Sequence, residues 1–504
     1  MMTSLVEQFK GARNAGAPFV SISCADPWAV LNALRNGETP KVVWDCVRGL
    51  RGMNDAGETA AGTAAGADLE ATAIPLTALI AAAKLPPACV LFMLNLHRLI
   101  EDGGGAPPDL AIIQAISNLR DEFKSDGRTL VFLDPDFALP AELQHDVVTL
   151  DDPLPSDDQL AVIADETIKG AIAEWPKMPK PSADDLTRVV DAGRGLSAFS
   201  FESALAISTS ERGGVDVAAC WERKRKIVEQ TDGLSFSIGG PTFAQVGGLI
   251  ALKAQHARLF AGPQRPGAIL RLDEGEKQLA GASGGNESSG VESDKLSVIL
   301  REIEDHDATG MIAFGHPGCS KSYFSKTLGA TYNVPTMEAD LGATMSKWVG
   351  ESQRGIRRLF KIANAVAGGR LYVVLTTNDL DSISGPLRSR MGMGTWFFDL
   401  PTDQEKVDIW KIQCKLYGIK KQDLPVDALW TGREIRNCCA NAVRLGCSLV
   451  EAAQYIVPIA TSDPEGVDRL RRQAHGRLLS VVTPGAYLRP KEEKETGRAF
   501  GAGR

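Results

Sequence analysis

Four short apolar runs punctuate the first part of the chain: Phe19-Val20-Ser21-Ile22-Ser23, Lys41-Val42-Val43-Trp44, Val90-Leu91-Phe92-Met93-Leu94 and Thr129-Leu130-Val131-Phe132-Leu133. Between the last two, Ile113, Ile116 and Leu119 share one face of a helical pattern over Leu110 to Phe123. Strands alternating with helices predict a doubly wound parallel α/β sheet for residues 1–155. Where a nucleotide hydrolase would carry Asp-Glu after Leu94, this chain has Asn95-Leu96-His97, and no phosphate loop is present in that module. The Ala/Gly/Thr-rich stretch from Gly57 to Ala73 reads as a mobile loop. Residues 156–235 read as mainly helical, with a Pro-rich link from Trp175 to Pro181.

A second α/β pattern follows over residues 236–401. It has an amphipathic helix from Leu249 to Phe260 and buried strands at Ala268–Leu272, Met311–Phe314 and Leu371–Leu375. A helix carrying Leu296, Ile299, Leu300 and Ile303 on one face is expected to be capped by Ser293. Residues 402–482 suggest a helical lid, and the charged, Gly-ended tail from Thr483 suggests disorder. The most apolar stretch, Leu79 to Leu96, is broken by Lys84 and Pro86-Pro87 and is too interrupted to span a bilayer. The start, Met1 to Val20, lacks the apolar centre of a leader.

Composition narrows the function. A net charge of −8 and a pI near 5.5 argue against a sequence-blind nucleic-acid coat. The nine cysteines form no C-x-x-C pair and read as free thiols of a reducing cytoplasm, with Cys438-Cys439 as packing residues. His97 reads as structural, because no second metal-ligand type stands near it at useful spacing.

The chemistry lies in the second module. Gly315-His316-Pro317-Gly318-Cys319-Ser320-Lys321-Ser322 follows an apolar strand and opens a helix, the context in which G-x-x-x-x-G-K-[ST] binds phosphates. Loop N–H groups and the helix N-terminus would face the phosphates of ATP. Lys321 would reach the β- and γ-phosphates, and Ser322 would ligate Mg²⁺. Ser320 replaces the motif's last Gly and would be strained in a turn needing φ > 0.

The strand Ala268–Leu272 ends in Asp273-Glu274, upstream of the loop. Asp273 would hold Mg²⁺ through water, and Glu274 would act as general base. Arg271 inside this strand requires an edge position or a partner. Asn378, ending the strand Leu371–Leu375, could orient the attacking water. Arg388 and Arg390 could act in trans on a neighbour's γ-phosphate. Trp348, within Lys347-Trp348-Val349-Gly350-Glu351-Ser352, either plugs a core or grips a polymer. Oxidation of Cys319 could block nucleotide.

Residues 243 to about 480 resemble an AAA+ ATPase of the AAA subclass. The resemblance rests on Val246-Gly247-Gly248-Leu249, the loop at 315–322, Lys347-Trp348-Val349-Gly350-Glu351-Ser352, Thr377-Asn378, Arg388 with Arg390, and Thr431-Gly432-Arg433-Glu434-Ile435. The two-module plan is similar to phage, cyanobacterial and plastid AAA ATPases whose first ATPase-like domain is degenerate. The departure is the order, since such proteins carry Asp-Glu after the phosphate loop. The resemblance implies nucleotide contacts from Val246, Gly247 and Arg433. It also implies a homo-oligomeric ring, expected to be a hexamer, with Lys347, Trp348 and Val349 as a pore loop acting on a protein substrate. Two other readings compete: an ATP-binding scaffold with weak hydrolysis, and a nucleic-acid motor or loader, which would need a more basic pore. Neither a membrane nor nucleic acid is the favoured partner.

Overall fold

The computed structural model describes residues 5–24, 26–66, 68–100, 108–134, 139–278, 289–342 and 349–490. The chain divides into two compact units, Met1–Lys224 and Arg225–Arg504.

The first unit runs α1 (Leu5–Asn14), β1 (Phe19–Ser23), α2 (Pro27–Leu34), β2 (Lys41–Asp45), β3 (Gly49–Gly52), α3 (Asp55–Ala65), α4 (Pro75–Ala82), β4 (Val90–Leu94), α5 (His97–Ile100), α6 (Leu110–Asp126), β5 (Thr129–Asp134) and β6 (Val147–Asp151). The sheet order is β3-β2-β4-β5-β1-β6, and every pairing is parallel except that of β3 with β2. Every residue of β4 and β5 is buried, as expected of central strands covered on both faces. The stretch expected to be a mobile loop is instead largely α3. Asn54 caps it by accepting from Gly57 N, and Ala60, Ala61 and Ala64 are buried in the core. Alanine is the best helix former, so composition that looks low-complexity is here a helix with a small-residue packing face. His97 is buried at the carboxyl end of β4, with Nδ1 2.9 Å from Asp134 Oδ1 at the end of β5.

Helices α7 (Asp157–Glu174), α8 (Ala183–Gly193), α9 (Ala198–Ile207) and α10 (Val217–Val228) follow, with a small hairpin of β7 (Thr209–Ser210) and β8 (Gly214–Val215). Capping boxes at Ser156 and Ser182 start α7 and α8.

The second unit contains β9 (Leu234–Ser237), α11 (Ile250–Ala261), β10 (Ala268–Leu272), α12 (Gly275–Gln278), α13 (Ser289–Asp305), β11 (Thr309–Gly315), α14 (Lys321–Tyr332), β12 (Thr336–Ala339), α15 (Val349–Val366), β13 (Leu371–Thr377), α16 (Gly385–Arg390) and β14 (Thr395–Phe398). Then come α17 (Asp403–Leu416), α18 (Gly432–Leu445), α19 (Leu449–Ala453), α20 (Ile459–Ser462), α21 (Pro464–Ala474) and β15 (Leu479–Ser480). Ser293 lies inside α13, not at its cap. β9 pairs antiparallel with β12, so the helical region ends before residue 235 and its last strand belongs to the second sheet.

The second sheet has the order β15-β14-β11-β13-β10-β12-β9. β10 precedes the phosphate-loop strand β11 in sequence, yet it sits between β13 and β12 and is parallel to both. Strand position need not follow chain order when helices make the crossovers. The carboxyl ends of β10, β11 and β13 therefore lie side by side, where ligands of open α/β sheets bind.

The tail is ordered as far as Pro490, contrary to the expectation of disorder from Thr483. β15 adds to the edge of β14, Leu479 bridges Ala486, and Tyr487 is buried with its hydroxyl 2.6 Å from Asp399 Oδ2. Leu479 and Ser480 thus pair with the edge of the sheet. The rest of the tail lies outside the described residues. Among the described residues, no helix is long and apolar enough to cross a membrane.

Candidate nucleotide site

β11 delivers Gly315 at φ 150°, where a Cβ would stand 2.1 Å from Phe398 O. Gly318, at φ 90°, lies under the lid, and a Cβ there would meet Thr431 Oγ1 at 2.8 Å. These two glycines let the loop turn tightly beside both β14 and α18. Ser320 adopts the left-handed conformation, φ 68°, at the start of α14. An L-residue held there carries roughly 1–2 kcal/mol of strain. Ser320→Gly is therefore expected to stabilise the protein by about 1 kcal/mol, because relief of strain outweighs the added freedom of the unfolded chain. Urea unfolding measures this, and an unchanged or lowered midpoint would show that the Ser320 hydroxyl offsets the strain.

Within the loop, His316 and Cys319 are buried and Pro317 is half-buried. Burial lowers the pKa of His316 and pushes the Cys319 thiol up to about 12, so the thiol is protonated and poorly reactive. Lys321 is buried at the first position of α14. Its Nζ donates to Gly315 O (2.6 Å), His316 O (2.7 Å) and Asn378 Oδ1 (2.8 Å). Burial pushes its pKa down to about 8, with Asp273 and Glu276 among the groups opposing that shift.

Ser322 Oγ donates to Asp273 Oδ1 at 2.7 Å, across 49 residues of sequence. The Thr376 hydroxyl donates to the same oxygen. Burial alone would raise the Asp273 carboxyl, but the Thr376 and Ser322 hydroxyls and the Arg271 guanidinium outweigh it and hold it below its usual value. Arg271 has partners and is not at an edge. In a central strand, its Nε donates to Ser325 Oγ (2.8 Å), Nη1 to Glu338 Oε2 (2.8 Å) and Nη2 to Asp273 Oδ2 (3.3 Å). A buried guanidinium so placed costs little, because its charge is paired and its donors are used.

Glu274 lies at φ 54° with its side chain about half exposed. Its carboxylate is 2.7 Å from Lys277 Nζ, and its backbone N–H donates to Thr376 Oγ1 at 3.2 Å. The acid that meets Asn378 is Glu276, in α12. Its Oε1 accepts from Asn378 Nδ2 (2.9 Å) and its Oε2 from Asn378 N (3.2 Å). The sequence reading missed Glu276 and Thr376. The available signals were a third acid just beyond Asp273-Glu274 and a hydroxyl next to Thr377-Asn378.

Arg390 is held within its own chain by Glu304 of α13, with Nε 2.6 Å from Oε1, whereas Arg388 is exposed. Arg433, exposed at the second position of α18, donates from its backbone N–H to Gly318 O at 3.3 Å. Val246 is buried, and Gly247 packs against Ile409 of α17. Gly247, Leu249, Cys319, Ile409, Val481 and Val482 border a small, partly open cavity of about 30 Å³, room for water but not for a purine. On the other side of Gly247, a more open groove of about 400 Å³ runs between α11 and α17. Val481 O accepts from Ala251 N and Leu252 N, so the C-terminal segment caps α11 beside this cavity. Lys347 and Trp348 lie outside the described residues, and Val349 is the first residue of α15.

Strand, glycine loop and helix, with a Lys-Ser pair facing an aspartate from the strand beyond β13, define the second unit as a P-loop nucleotide-binding domain. Residues 311–384 match the model of the ATPase family associated with various cellular activities (AAA), and residues 5–151 match that of the SpoVK-like AAA ATPase N-terminal domain. The two matches fall one on each α/β module, consistent with the two-module plan of AAA ATPases. The AAA match leaves out the segment carrying Asp273, as its displaced position requires.

Among relatives, the uncharacterized AAA domain-containing protein ycf46 of Guillardia theta is 22% identical over 268 residues, covering 53% of this chain and 45% of that protein. Its counterpart in Pyropia yezoensis is 21% identical over 444 residues, covering 76% and 81%. The peroxisomal ATPase pex1 of Schizosaccharomyces pombe is 29% identical over 100 residues, covering 20% of this chain and 10% of that protein.

Proposed function

We propose that this chain hydrolyses ATP as a homo-oligomeric ring, expected to be a hexamer, and uses the cycle to remodel or thread a protein substrate. The observation that carries the hydrolytic part is the 2.7 Å hydrogen bond from Ser322 Oγ to Asp273 Oδ1. These two hard oxygen donors suit Mg²⁺, which needs only one or two protein ligands when phosphates supply others. Bound there, the ion would neutralise charge on the β- and γ-phosphates. Lys321 would exchange its two loop carbonyls for phosphate oxygens, and Asn378 would orient the attacking water. Glu274 takes the role of general base once its exposed pair with Lys277 opens, and such pairs are weak. Val246, Gly247 and Arg433 would contact the nucleotide as the lid moves.

Of the two arginines, Arg388 is the one available to a neighbour, because Glu304 already holds Arg390. The ring, its pore loop of Lys347, Trp348 and Val349, and the protein substrate rest on similarity to AAA proteins. A second reading, a nucleotide-gated scaffold with weak turnover, is favoured by the surface pairing of Glu274.

Steady-state ATP turnover measured against protein concentration separates the two. A rate per subunit that climbs with concentration is expected for a site completed by a neighbour. Bound ATP without turnover at any concentration would leave the scaffold.

A further inference from the structure

We infer that Glu276 is a positioning residue that fixes the side-chain amide of Asn378 with its oxygen toward the phosphate loop. This rests on the hydrolytic reading above. Glu276 accepts from both nitrogens of Asn378, Nδ2 at 2.9 Å and the backbone N at 3.2 Å. On the other side, Asn378 Oδ1 accepts from Lys321 Nζ at 2.8 Å.

The orientation of an amide is set by its partners. Turned over, Asn378 would set its oxygen against the Glu276 carboxylate and its NH₂ against the Lys321 ammonium. Both contacts would be repulsive. While Lys321 faces Asn378, two groups enforce the orientation. When Lys321 turns to phosphate oxygens, Glu276 alone does so. Asn378 then presents an acceptor to the phosphate side. Its oxygen can accept a hydrogen bond from the attacking water, while the amide nitrogen is directed toward Glu276 and away from the phosphates. Glu276 touches neither water nor phosphate in this scheme and acts through Asn378.

The arrangement can be reversed without changing net charge. In Glu276→Gln/Asn378→Asp, the glutamine NH₂ donates to the new carboxylate and its oxygen accepts the backbone N–H of residue 378. The acceptor facing Lys321 and the water is kept. Asn378→Asp alone sets two carboxylates together. Glu276→Gln alone permits the amide to turn.

The experiment measures kcat and KM for ATP, with thermal melting, for the full-length wild type, both single variants and the double. Misplacing a water-orienting group costs on the order of 10²-fold. Glu276→Gln is therefore expected to lose about ten- to a hundredfold in kcat with KM little changed, and the double variant to recover most of that loss. A merely structural role would lower the melting point and would not produce a swap rescue at unchanged KM. Glu276→Gln turning over like wild type, or a double variant no faster than Asn378→Asp, overturns the assignment. If Glu276→Gln does not fold, the double against Asn378→Asp still decides. Wild type that binds ATP and turns over nothing overturns the hydrolytic reading and this assignment with it.

Discussion

Lys321→Ala is expected to bind no ATP at concentrations that saturate the wild type, and therefore to show no turnover. The side chain is buried and its ammonium already makes three hydrogen bonds, to Gly315 O, His316 O and Asn378 Oδ1. Two of these acceptors are loop carbonyls, so the cation is held where phosphate oxygens would arrive. Hydrogen bonds to charged groups contribute about 1.5–3 kcal/mol each, so losing two to phosphate weakens binding by about 10²-fold or more. The fold should survive, because water can replace the ammonium at the vacated carbonyls. Titration with a fluorescent ATP analogue checks the affinity, and thermal melting checks the fold. A variant that still bound ATP within a few-fold of wild type would remove Lys321 from the phosphate site.

Much of this site is legible in the sequence because its signals are local. The phosphate loop is one uninterrupted segment, and Asp273-Glu274 stands directly after an apolar strand. That the displaced strand serves the loop follows from one requirement, an acid near the Ser322 hydroxyl, and the sheet meets it by placing β10 beside β13. Arg271 was legible as an anomaly needing partners, but not which, since Ser325 and Glu338 come from α14 and β12.

What escaped the sequence depends on distant contacts or on misleading composition. Glu276 meets Asn378 across 102 residues, and between Gly275 and Lys277 it looks like any acid in a turn. Leu479–Ser480 is a strand only because the edge of β14 is there to pair with it. The stretch after Asn54 looked like a loop from its glycines and threonines. The capping by Asn54 and the buried alanines make it a helix.

Arg388→Ala is expected to lower ATP turnover by about 10³-fold while leaving ATP binding intact, because an arginine acting in trans stabilises charge that develops only in the transition state. Arg390→Ala should cost far less turnover, since its guanidinium is already engaged by Glu304 within its own chain. The decisive form of the test mixes two inactive variants. A Lys321→Ala subunit cannot use its own site, but it still carries Arg388. An Arg388→Ala subunit keeps a complete phosphate loop and lacks only the arginine that it lends to its neighbour. Placed side by side, the first completes the site of the second. Mixed preparations should therefore recover a fraction of wild-type turnover that rises and falls with the mixing ratio and disappears on dilution. Recovery independent of the ratio, or none at any concentration despite normal ATP binding by Arg388→Ala, would mean that Arg388 serves its own subunit or none. The ring reading would then have to find its trans-acting cation elsewhere.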